Sequence, residues 1–324
     1  MFIKKLTGLA LAAAMVVGAN SAALAQQALK WAHVYEEGSD YHQVALWAAE
    51  EARKRTEGRI DIQVFPASSL GKEVEINEGL GIGAVDIIYT GPSFVERYYG
   101  PIAISDYPFI MRGYDHWKAY RESDLFAELS DGYKDATGHT VMGLVYYGQR
   151  HVTSNFPIEK PSDMEGLKIR VPNSPVMLMF PNAVGANPTP MAFSEVYLAL
   201  QQGVVDAQEN PLPTIQFKKF YEVQSNINLT GHILNSLLII ASDSAIGRLG
   251  DDAEIVETVL KEAAAKASQG IYDSEQSLVQ WFRDEGINVN EIDKQPFQDA
   301  VKPMLTDPDQ VPYEMEHFER LQAL

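Results

Sequence analysis

GLKIRVPNSPVMLMFPNAVGANPTPMAFSEVYLALQQGVVDAQENP, residues 166–211, is the stretch that decides the fold. Its pattern predicts a strand at Leu167–Val171 that ends at Pro172, because proline cannot extend a ladder of backbone hydrogen bonds. Further along, Ser194 can cap a helix at Glu195–Gln202. A second strand is predicted at Val204–Gln208. The stretch therefore predicts one α/β unit.

Two polar side chains stand at the ends of these strands. Arg170 belongs to the first strand and Asn210 follows the second. A guanidinium and an amide are groups that bind a small anion. Catalysis would need a nucleophile or a base as well, and the chain has no Cys, no G-x-S-x-G serine, no P-loop and no GxGxxG. We therefore predict a binding site with no catalytic residue and no cofactor. Because the seven histidines show no ligand spacing, we predict no metal site.

The first residues have the pattern of a secretory leader. Lys4 and Lys5 precede an apolar run at Leu6–Val17, and Ala23-Leu24-Ala25 matches an A-x-A cleavage site. We predict a signal peptide at residues 1–25, cleavage after Ala25 and a periplasmic location. No apolar run of about 18 or more residues follows, so no membrane-spanning helix is predicted in the mature chain.

Composition restricts the possible partners. The chain has 324 residues, 46% of them hydrophobic, which is ample for a buried core. Its formal charge is -18, and loss of Lys4 and Lys5 with the leader makes it -18 - 2 = -20. Such an acidic surface repels nucleic acid. We expect a monomer with no nucleic-acid partner, in which any anion site depends on individually placed arginines.

The first part of the chain alternates strands with helices. Strands are predicted at Ala28–Val34, Arg59–Phe65 and Val85–Tyr89, with helices at Tyr41–Thr56, capped by Asp40, and at Lys72–Ile82. This order predicts a mostly parallel sheet flanked by helices. Ligands of such sheets bind at the carboxyl ends of the strands. The turns at that edge are Tyr35–Ser39, Ser68–Glu73 and Thr90–Ser93.

The rest of the chain predicts a second lobe and a hinge. A long strand starts at Thr140–Tyr146, passes Arg150 and continues to Ser154, and Ile227–Ser242 crosses back. A helical region at Asp251–Gly286, which Gly270 could break, precedes a helical tail. We predict one lobe at residues 26–147 plus about 236–275. The other lobe comprises about 148–235 plus 276–324. Two lobes joined in this way close on a ligand.

Four motifs carry a resemblance to a known family: LKIRVPN (Leu167–Asn173), GANPTPMAFSEVYLALQQGVVDAQENP (Gly185–Pro211), KKFYEVQ (Lys218–Gln224) and PASSLG (Pro66–Gly71). Over essentially the whole mature chain, the sequence resembles the DctP-type solute-binding proteins of TRAP transporters, with motifs closest to the sialic-acid-binding branch. The resemblance implies a two-lobed periplasmic-binding-protein fold with hinge strands and a long C-terminal helix. Each lobe would hold a mixed, mostly parallel sheet. It also implies a receptor, not an enzyme, that delivers a small organic acid to integral membrane permease subunits.

The resemblance assigns roles to three residues. Arg170 stands in the RVP motif, whose arginine forms a salt bridge with the ligand carboxylate in this family. Arg150 matches the second arginine of the sialic-acid branch, within GQRHVTS at Gly148–Ser154. Asn210 is the asparagine of the QENP motif, which also reaches the carboxylate.

Around the rest of the pocket the sequence departs from that branch, although Glu73 retains an acid there. Its turn after the first strand contains Glu36 where the branch is small and neutral, and the Thr90–Ser93 turn lacks the acid of the branch. We therefore predict a sugar acid such as a uronate or aldonate, with Glu36 and Glu73 accepting hydroxyl hydrogens. Further predicted ligand contacts are Ser93, Phe193, which can stack on a sugar face, and Tyr89.

Several alternatives stay open at this point. Glu36 and Glu73 are the carboxylate pair that an exported hydrolase or lyase of sugar acids would use. The same receptor fold can serve a sensor instead of a permease. The ligand can also be sialic acid, a C4-dicarboxylate, a 2-oxo acid, a hydroxysulfonate or an amino alcohol, since an ammonium group would suit Glu36.

Overall fold

The computed structural model describes residues 26–324, so the predicted signal peptide and its cleavage site lie outside the described residues. Within this range, one mixed sheet has the strand order β2-β1-β3-β8-β4-β7-β5-β6, with β9 paired to β8. The strands are β1 Gln27–Ala32, β2 Ile60–Phe65, β3 Ile87–Thr90, β4 His139–Ser154, β5 Lys168–Val171, β6 Asn187–Pro190, β7 Ala207–Pro211, β8 Asn226–Ser242 and β9 Asn288–Asn290.

Helices cover both faces of the sheet. They are α1 Asp40–Arg55, α2 Glu73–Gly81, α3 Pro92–Val95, α4 Tyr114–Arg121, α5 Asp124–Thr137, α6 Met179–Ala183, α7 Val196–Gln201, α8 Leu212–Phe217, α9 Asp243–Gly247, α10 Ala253–Asp284, α11 Gln295–Val301 and α12 Met315–Gln322. None of the helices in residues 26–324 has both the length and the apolar character needed to cross a membrane.

Two long antiparallel strands, β4 and β8, join the two halves of the sheet. The pairing runs from His139 opposite Ser242 to Ser154 opposite Asn226. On one side β3, β1 and β2 form the first lobe, and on the other β7, β5 and β6 form the second. The predicted α/β fold with hinge strands is thus confirmed, and the two lobe sheets are parts of one continuous sheet. Three register shifts interrupt the β4–β8 pairing, and such bulges bend a strand.

The long helix α10 packs along β4. The close approach depends on Gly143 of β4, since a Cβ atom there would lie 2.6 Å from the Cβ of Ala264. The helix runs unbroken through Gly270 for 32 residues, so the break considered at that glycine does not occur. Its buried stripe, which includes Val256, Leu260 and Ala267, outweighs the low helix propensity of one glycine.

Two predicted helix caps are wrong. Ser39, and not Asp40, is the N-cap of α1, and its hydroxyl oxygen accepts a hydrogen bond from the His42 amide at 3.3 Å. Ser194 caps no helix, because residues 193–195 form a 3-10 turn that leads into α7. In both places the capping residue lies one position from its prediction, which is the usual uncertainty of helix ends.

The strand predicted at Val204–Gln208 lies three residues further on, at Ala207–Pro211. Glu209 and Asn210 are therefore inside β7, paired with Val152 and His151 of β4, and not in a turn after the strand.

The C-terminal tail returns to the first lobe. The Tyr313 ring meets the Tyr107 ring edge-on at 5.0 Å, and the Arg320 guanidinium lies 2.6 Å from the Glu128 carboxylate of α5. His116 of α4 contacts the Leu321 carbonyl oxygen through Nε2 at 2.8 Å. The lobe boundaries given above stay a prediction, and this packing favours counting α12 with the first lobe.

Candidate ligand-binding site

A small cavity lies where the two lobes face each other, and its empty space is about 370 Å³ when open solvent at its mouth is counted. The second lobe and the hinge strands contribute Arg170, Pro172, Met177, Phe193, Asn210, Arg150, Tyr147, Asn235 and Leu237, and the first lobe contributes Val34, Tyr35, Glu73, Gly91, Ser93 and Phe94. The lobes touch at its edge, where the Ser174 hydroxyl donates to the Ser93 carbonyl oxygen at 2.8 Å. The site is therefore a closed cleft.

Arg170 carries the unpaired positive charge of this cavity. Strand β5 places it opposite Gln208 of β7 and Thr189 of β6. Its side chain is 2% exposed, and Nε and Nη2 both donate to the Met191 carbonyl oxygen, at 3.0 and 2.7 Å. Nη1 is buried and has no hydrogen-bond partner among the described residues. Burial lowers the pKa of Arg170 to about 10, so the group is still a cation at neutral pH.

Arg150, in contrast, is fully engaged with protein groups. Its Nε and Nη2 form a bidentate ion pair with the Glu209 carboxylate, in which the Nη2–Oε1 distance is 2.7 Å. Nη2 also donates to the Glu209 carbonyl oxygen at 2.8 Å, and Nη1 donates to the Asn235 amide oxygen at 2.8 Å. Arg150 lines the cavity, but its charge is balanced by Glu209 before any ligand arrives.

Glu209 is a buried charged residue beside the cavity that the sequence did not single out. Its carboxylate contacts both Arg150 and His232, whose Nε2 lies 3.2 Å away. Burial by itself would raise the pKa of Glu209, but Arg150 and His232 outweigh it and hold the pKa at about 2. A signal was present: a carboxylate inside a central strand needs a buried cation. Because the strand was predicted to end at Gln208, Glu209 fell just outside it.

Asn210 lines the cavity beside this ion pair. Its Nδ2 donates to Gln208 Oε1 at 2.6 Å, and its Oδ1 accepts from Arg150 Nη2 at 3.4 Å and from the Tyr147 hydroxyl at 3.5 Å. The two long bonds leave the Asn210 oxygen loosely held. Asn210 is therefore positioned by β7 for a contact with whatever occupies the cavity.

Glu73 faces the two arginines from the first lobe. At the start of α2, its Oε1 accepts from the Gly91 amide at 2.9 Å and from the Thr90 hydroxyl at 3.2 Å. Burial raises the pKa of Glu73 to about 7, although these hydrogen bonds and the arginines act in the opposite direction. At neutral pH the carboxyl therefore exists in both its charged and its neutral form.

Ser93 adds a second polar group on the same wall. Its Oγ is buried without a partner among the described residues. Its amide donates to the Asp106 carboxylate at 3.1 Å. Burial raises the pKa of Asp106 to about 7, so this carboxyl behind the cavity is also partly neutral at physiological pH.

Of the predicted ligand contacts, the structure brings Arg170, Arg150, Asn210, Glu73, Ser93 and Phe193 to the cavity. It does not bring Tyr89 or Glu36 there. Tyr89 is fully buried against the Trp31 ring, at 5.0 Å between ring centroids. Glu36 lies outside the cavity and accepts a hydrogen bond from Lys218 Nζ at 2.5 Å. The sequence reasoning did not single out Asn235, Tyr35 or Tyr147 as ligand contacts, although all three line the cavity.

Comparison with known proteins matches this geometry to a family. The model of the bacterial extracellular solute-binding protein family 7 (DctP) matches residues 31–309. The sialic acid-binding periplasmic protein SiaP of Vibrio cholerae is 34% identical over 293 residues, covering 90% of this chain and 91% of SiaP.

Solved structures agree in fold. A TRAP periplasmic solute-binding protein from a Polaromonas species, bound to D-erythronate, superposes with a TM-score of 0.87 at 30% identity, over 92% of this chain and 99% of that one. Another TRAP periplasmic solute-binding protein, from Shewanella oneidensis with bound succinate, superposes with a TM-score of 0.87 at 28% identity. The match covers 92% of this chain and 99% of that one. The chain belongs to the DctP family, the solute-binding proteins of TRAP transporters.

Proposed function

We propose that this protein is the periplasmic receptor of a TRAP transporter, binds a hydroxylated monocarboxylic acid of the aldonate or uronate class, and delivers it to the membrane permease. The observation that carries the proposal is the buried, unpaired Nη1 of Arg170. A buried polar group without a partner is costly, and one on a cation most of all. A ligand carboxylate at Arg170 would complete its hydrogen bonds and balance its charge.

The opposite wall supports a ligand that carries hydroxyl groups. Glu73 is an acceptor for hydroxyl hydrogens, and Ser93 Oγ can donate or accept. A second ligand carboxylate would face Glu73, whose ionised form repels it. The D-erythronate found in the Polaromonas protein is a hydroxy monoacid, whereas succinate in the Shewanella protein is a dicarboxylate, so the family accommodates both classes. We assign a hydroxy monoacid to this chain, because ionised Glu73 would repel the second carboxylate of a dicarboxylate.

Binding would proceed by docking and closure. The carboxylate docks on Arg170 of the second lobe, with Asn210 contributing its amide. Arg150 stays paired with Glu209 and keeps the wall around Asn210 in place. The ligand hydroxyls then draw in Glu73 and Ser93 of the first lobe, and Phe193 covers the sugar chain. The closed form is the one presented to the permease.

The hydrolase or lyase alternative has less support. It requires Glu36 and Glu73 as a pair at one substrate. Glu36 is ion-paired with Lys218 and does not line the cavity with Glu73. The family consists of receptors, and we propose no enzymatic activity for this chain.

A thermal-shift panel tests the proposal, because a ligand of the native state raises the unfolding temperature. The panel contains D-erythronate, D-glucuronate, D-galacturonate, sialic acid, succinate, pyruvate, isethionate and ethanolamine. We expect the largest shift from an aldonate or a uronate at pH 8, where Glu73 is ionised. A shift with succinate alone would contradict the hydroxy-monoacid assignment. A shift with ethanolamine alone would contradict an anion site.

A further inference from the structure

Two ion pairs connect the lobes outside the cavity. Lys72 Nζ lies 2.5 Å from Glu195 Oε1, and the two residues are 123 positions apart in the chain. Lys218 Nζ lies 2.5 Å from Glu36 Oε1, across 182 positions. In the first lobe, Glu36 follows β1 and Lys72 precedes α2. In the second lobe, Glu195 precedes α7 and Lys218 follows α8. Each lobe therefore supplies one lysine and one glutamate, and each lysine pairs with the glutamate of the other lobe.

The two ion pairs stand on either side of Phe193. Glu195 follows Phe193 by two positions in the same 3-10 turn, and Lys218 Nζ lies 5.1 Å from the centre of the Phe193 ring. The ring itself reaches the first lobe, 6.2 Å from the Tyr35 ring. Besides the central cavity, Phe193 lines two adjoining spaces, one with Lys72 and Glu195 on its wall and the other with Glu36 and Lys218.

None of the four charged residues lines the central cavity, although Lys72 and Glu195 line the adjoining space together with Arg170, Glu73 and Phe193. Each ion pair joins a residue of one lobe to a residue of the other, so it can form only when the cleft is closed. The Glu36–Lys218 pair is the less exposed, at 34% and 15%, against 50% and 45% for Glu195 and Lys72. Since solvent screens an exposed pair more strongly, Glu36–Lys218 should contribute the larger share.

We propose that Lys72–Glu195 and Glu36–Lys218 form an ionic latch, whose members are positioning residues that hold Phe193 over the bound acid. The effect of the latch on dissociation rests on the proposed receptor function, whereas the two ion pairs themselves form whenever the cleft is closed, with or without a ligand. Its consequence is kinetic: closure is stabilised after docking, so the latch slows dissociation of the ligand and leaves association nearly unchanged. Added salt should weaken it.

Neutral variants test the latch one pair at a time. We expect Lys218→Met to raise the dissociation rate of D-erythronate about three-fold in low salt, and Lys72→Met, whose ion pair is more exposed, to raise it less. The reversed pair Glu36→Lys with Lys218→Glu should restore the slow rate. The matched control is Arg55→Met, which removes ion pairs of similar exposure to Glu51 of α1 and Glu262 of α10.

The rates are measured by stopped-flow energy transfer between dyes at Ile82→Cys and Val204→Cys. The chain has no native Cys, and both positions are exposed, one on each lobe. Wild-type dissociation should accelerate with NaCl, and the double variant Lys72→Met with Lys218→Met should lose most of this response. Equal dissociation rates for the latch variants and Arg55→Met in low salt would overturn the latch.

The dye pair also separates failure of the latch from failure of the proposed function. If the wild type binds no acid of the panel, the proposed function fails. The latch is then judged on the ligand-free protein, in which Lys218→Met should shift the inter-lobe distances to longer values than Arg55→Met does. Identical distance distributions would overturn the latch by themselves.

Discussion

At the scale of single residues, the charged groups of the cavity differ in whether they already have partners. Arg150 and Glu209 neutralise each other within a network that includes Asn235 and His232. Arg170 has one nitrogen without a partner, and Glu73 has a carboxyl balanced between its charged and neutral forms. Arg150 and Glu209 are therefore held by protein groups, and Arg170 and Glu73 are the two charged groups that we propose contact the ligand.

Replacing Glu209 tests the structural role. Glu209→Gln leaves the buried Arg150 charge unpaired, so we expect the free energy of unfolding at pH 7 to fall by about 3–5 kcal/mol. Because the folded-state pKa of Glu209 is depressed to about 2, the stabilisation is complete above its unfolded value near 4.5 and is lost as pH falls toward 2. The gap between wild type and variant in urea unfolding should therefore narrow in acid. Glu128→Gln, in an exposed ion pair with Arg320, is the control and should change stability by less than about 1 kcal/mol.

Replacing Glu73 tests the ligand-facing role. The pKa of Glu73 is raised to about 7 in the folded protein, so folding disfavours the ionised form above its unfolded value near 4.5, and the full penalty applies above pH 7. We expect Glu73→Gln to stabilise the ligand-free protein by about 1–3 kcal/mol at pH 8 and hardly at all at pH 4. Thermal unfolding at both pH values checks this.

The same variant should alter ligand preference. Glu73→Gln removes the negative charge that repels a second carboxylate. At pH 8 the ratio of succinate affinity to D-erythronate affinity should therefore be higher for the variant than for the wild type. An unchanged affinity ratio in calorimetric titrations would remove Glu73 from the recognition of the ligand.

At the scale of elements, β4, β8 and α10 form the part shared by both lobes. Strand β4 carries Arg150 and Tyr147 to the cavity and contacts α10 at Gly143 and Tyr146. Gly148, next to a register shift of β4, has φ +113°, and a Cβ there would lie 2.7 Å from the Cβ of Pro211. Only glycine combines this backbone with such a close neighbour, so the bend beside Arg150 is built into the sequence.

Two glycines of this shared part should respond in opposite ways to alanine. Gly270, inside α10, has open space around the position of a Cβ atom, so Gly270→Ala should stabilise the protein by about 0.5–1 kcal/mol through helix propensity. Gly143→Ala should destabilise it by about 1–3 kcal/mol, because its Cβ would collide with Ala264. Thermal unfolding of both variants decides the matter, and a stabilising Gly143→Ala would contradict the close packing of α10 on β4.

Element order was predictable from sequence because hydrophobic period, helix stops and turn residues are local signals. The strand-helix alternation, the long β4 and β8 and the α/β fold follow from them and are confirmed. Asn210 and Glu209 show the limit: whether they end a strand or lie within it depends on pairing with β4, which is a tertiary contact. The partner of Glu36 was equally out of reach, because Lys218 lies 182 positions away and approaches only when the lobes meet.

At the scale of the whole molecule, one sheet bent at two strands places an arginine with an unpaired nitrogen in a closed cleft. The chain is strongly acidic, with a formal charge of -18, so bulk electrostatics repel the proposed ligand. Capture of an acid must then depend on local positive charge. Arg150 contributes little net charge, because Glu209 neutralises it. We therefore propose Arg170 as the principal counter-charge of the ligand.

Calorimetric titration of Arg170→Met with the acid that gives the largest thermal shift tests this claim most directly. Met fills the space of the arginine stem without its charge. The matched control is Lys168→Met, at an exposed position of the same strand. Loss of a buried charge partner costs about 2–5 kcal/mol, so we expect the dissociation constant of Arg170→Met to rise at least about 30-fold, with a preserved unfolding transition and an unchanged control. A dissociation constant equal to that of the wild type would contradict the account.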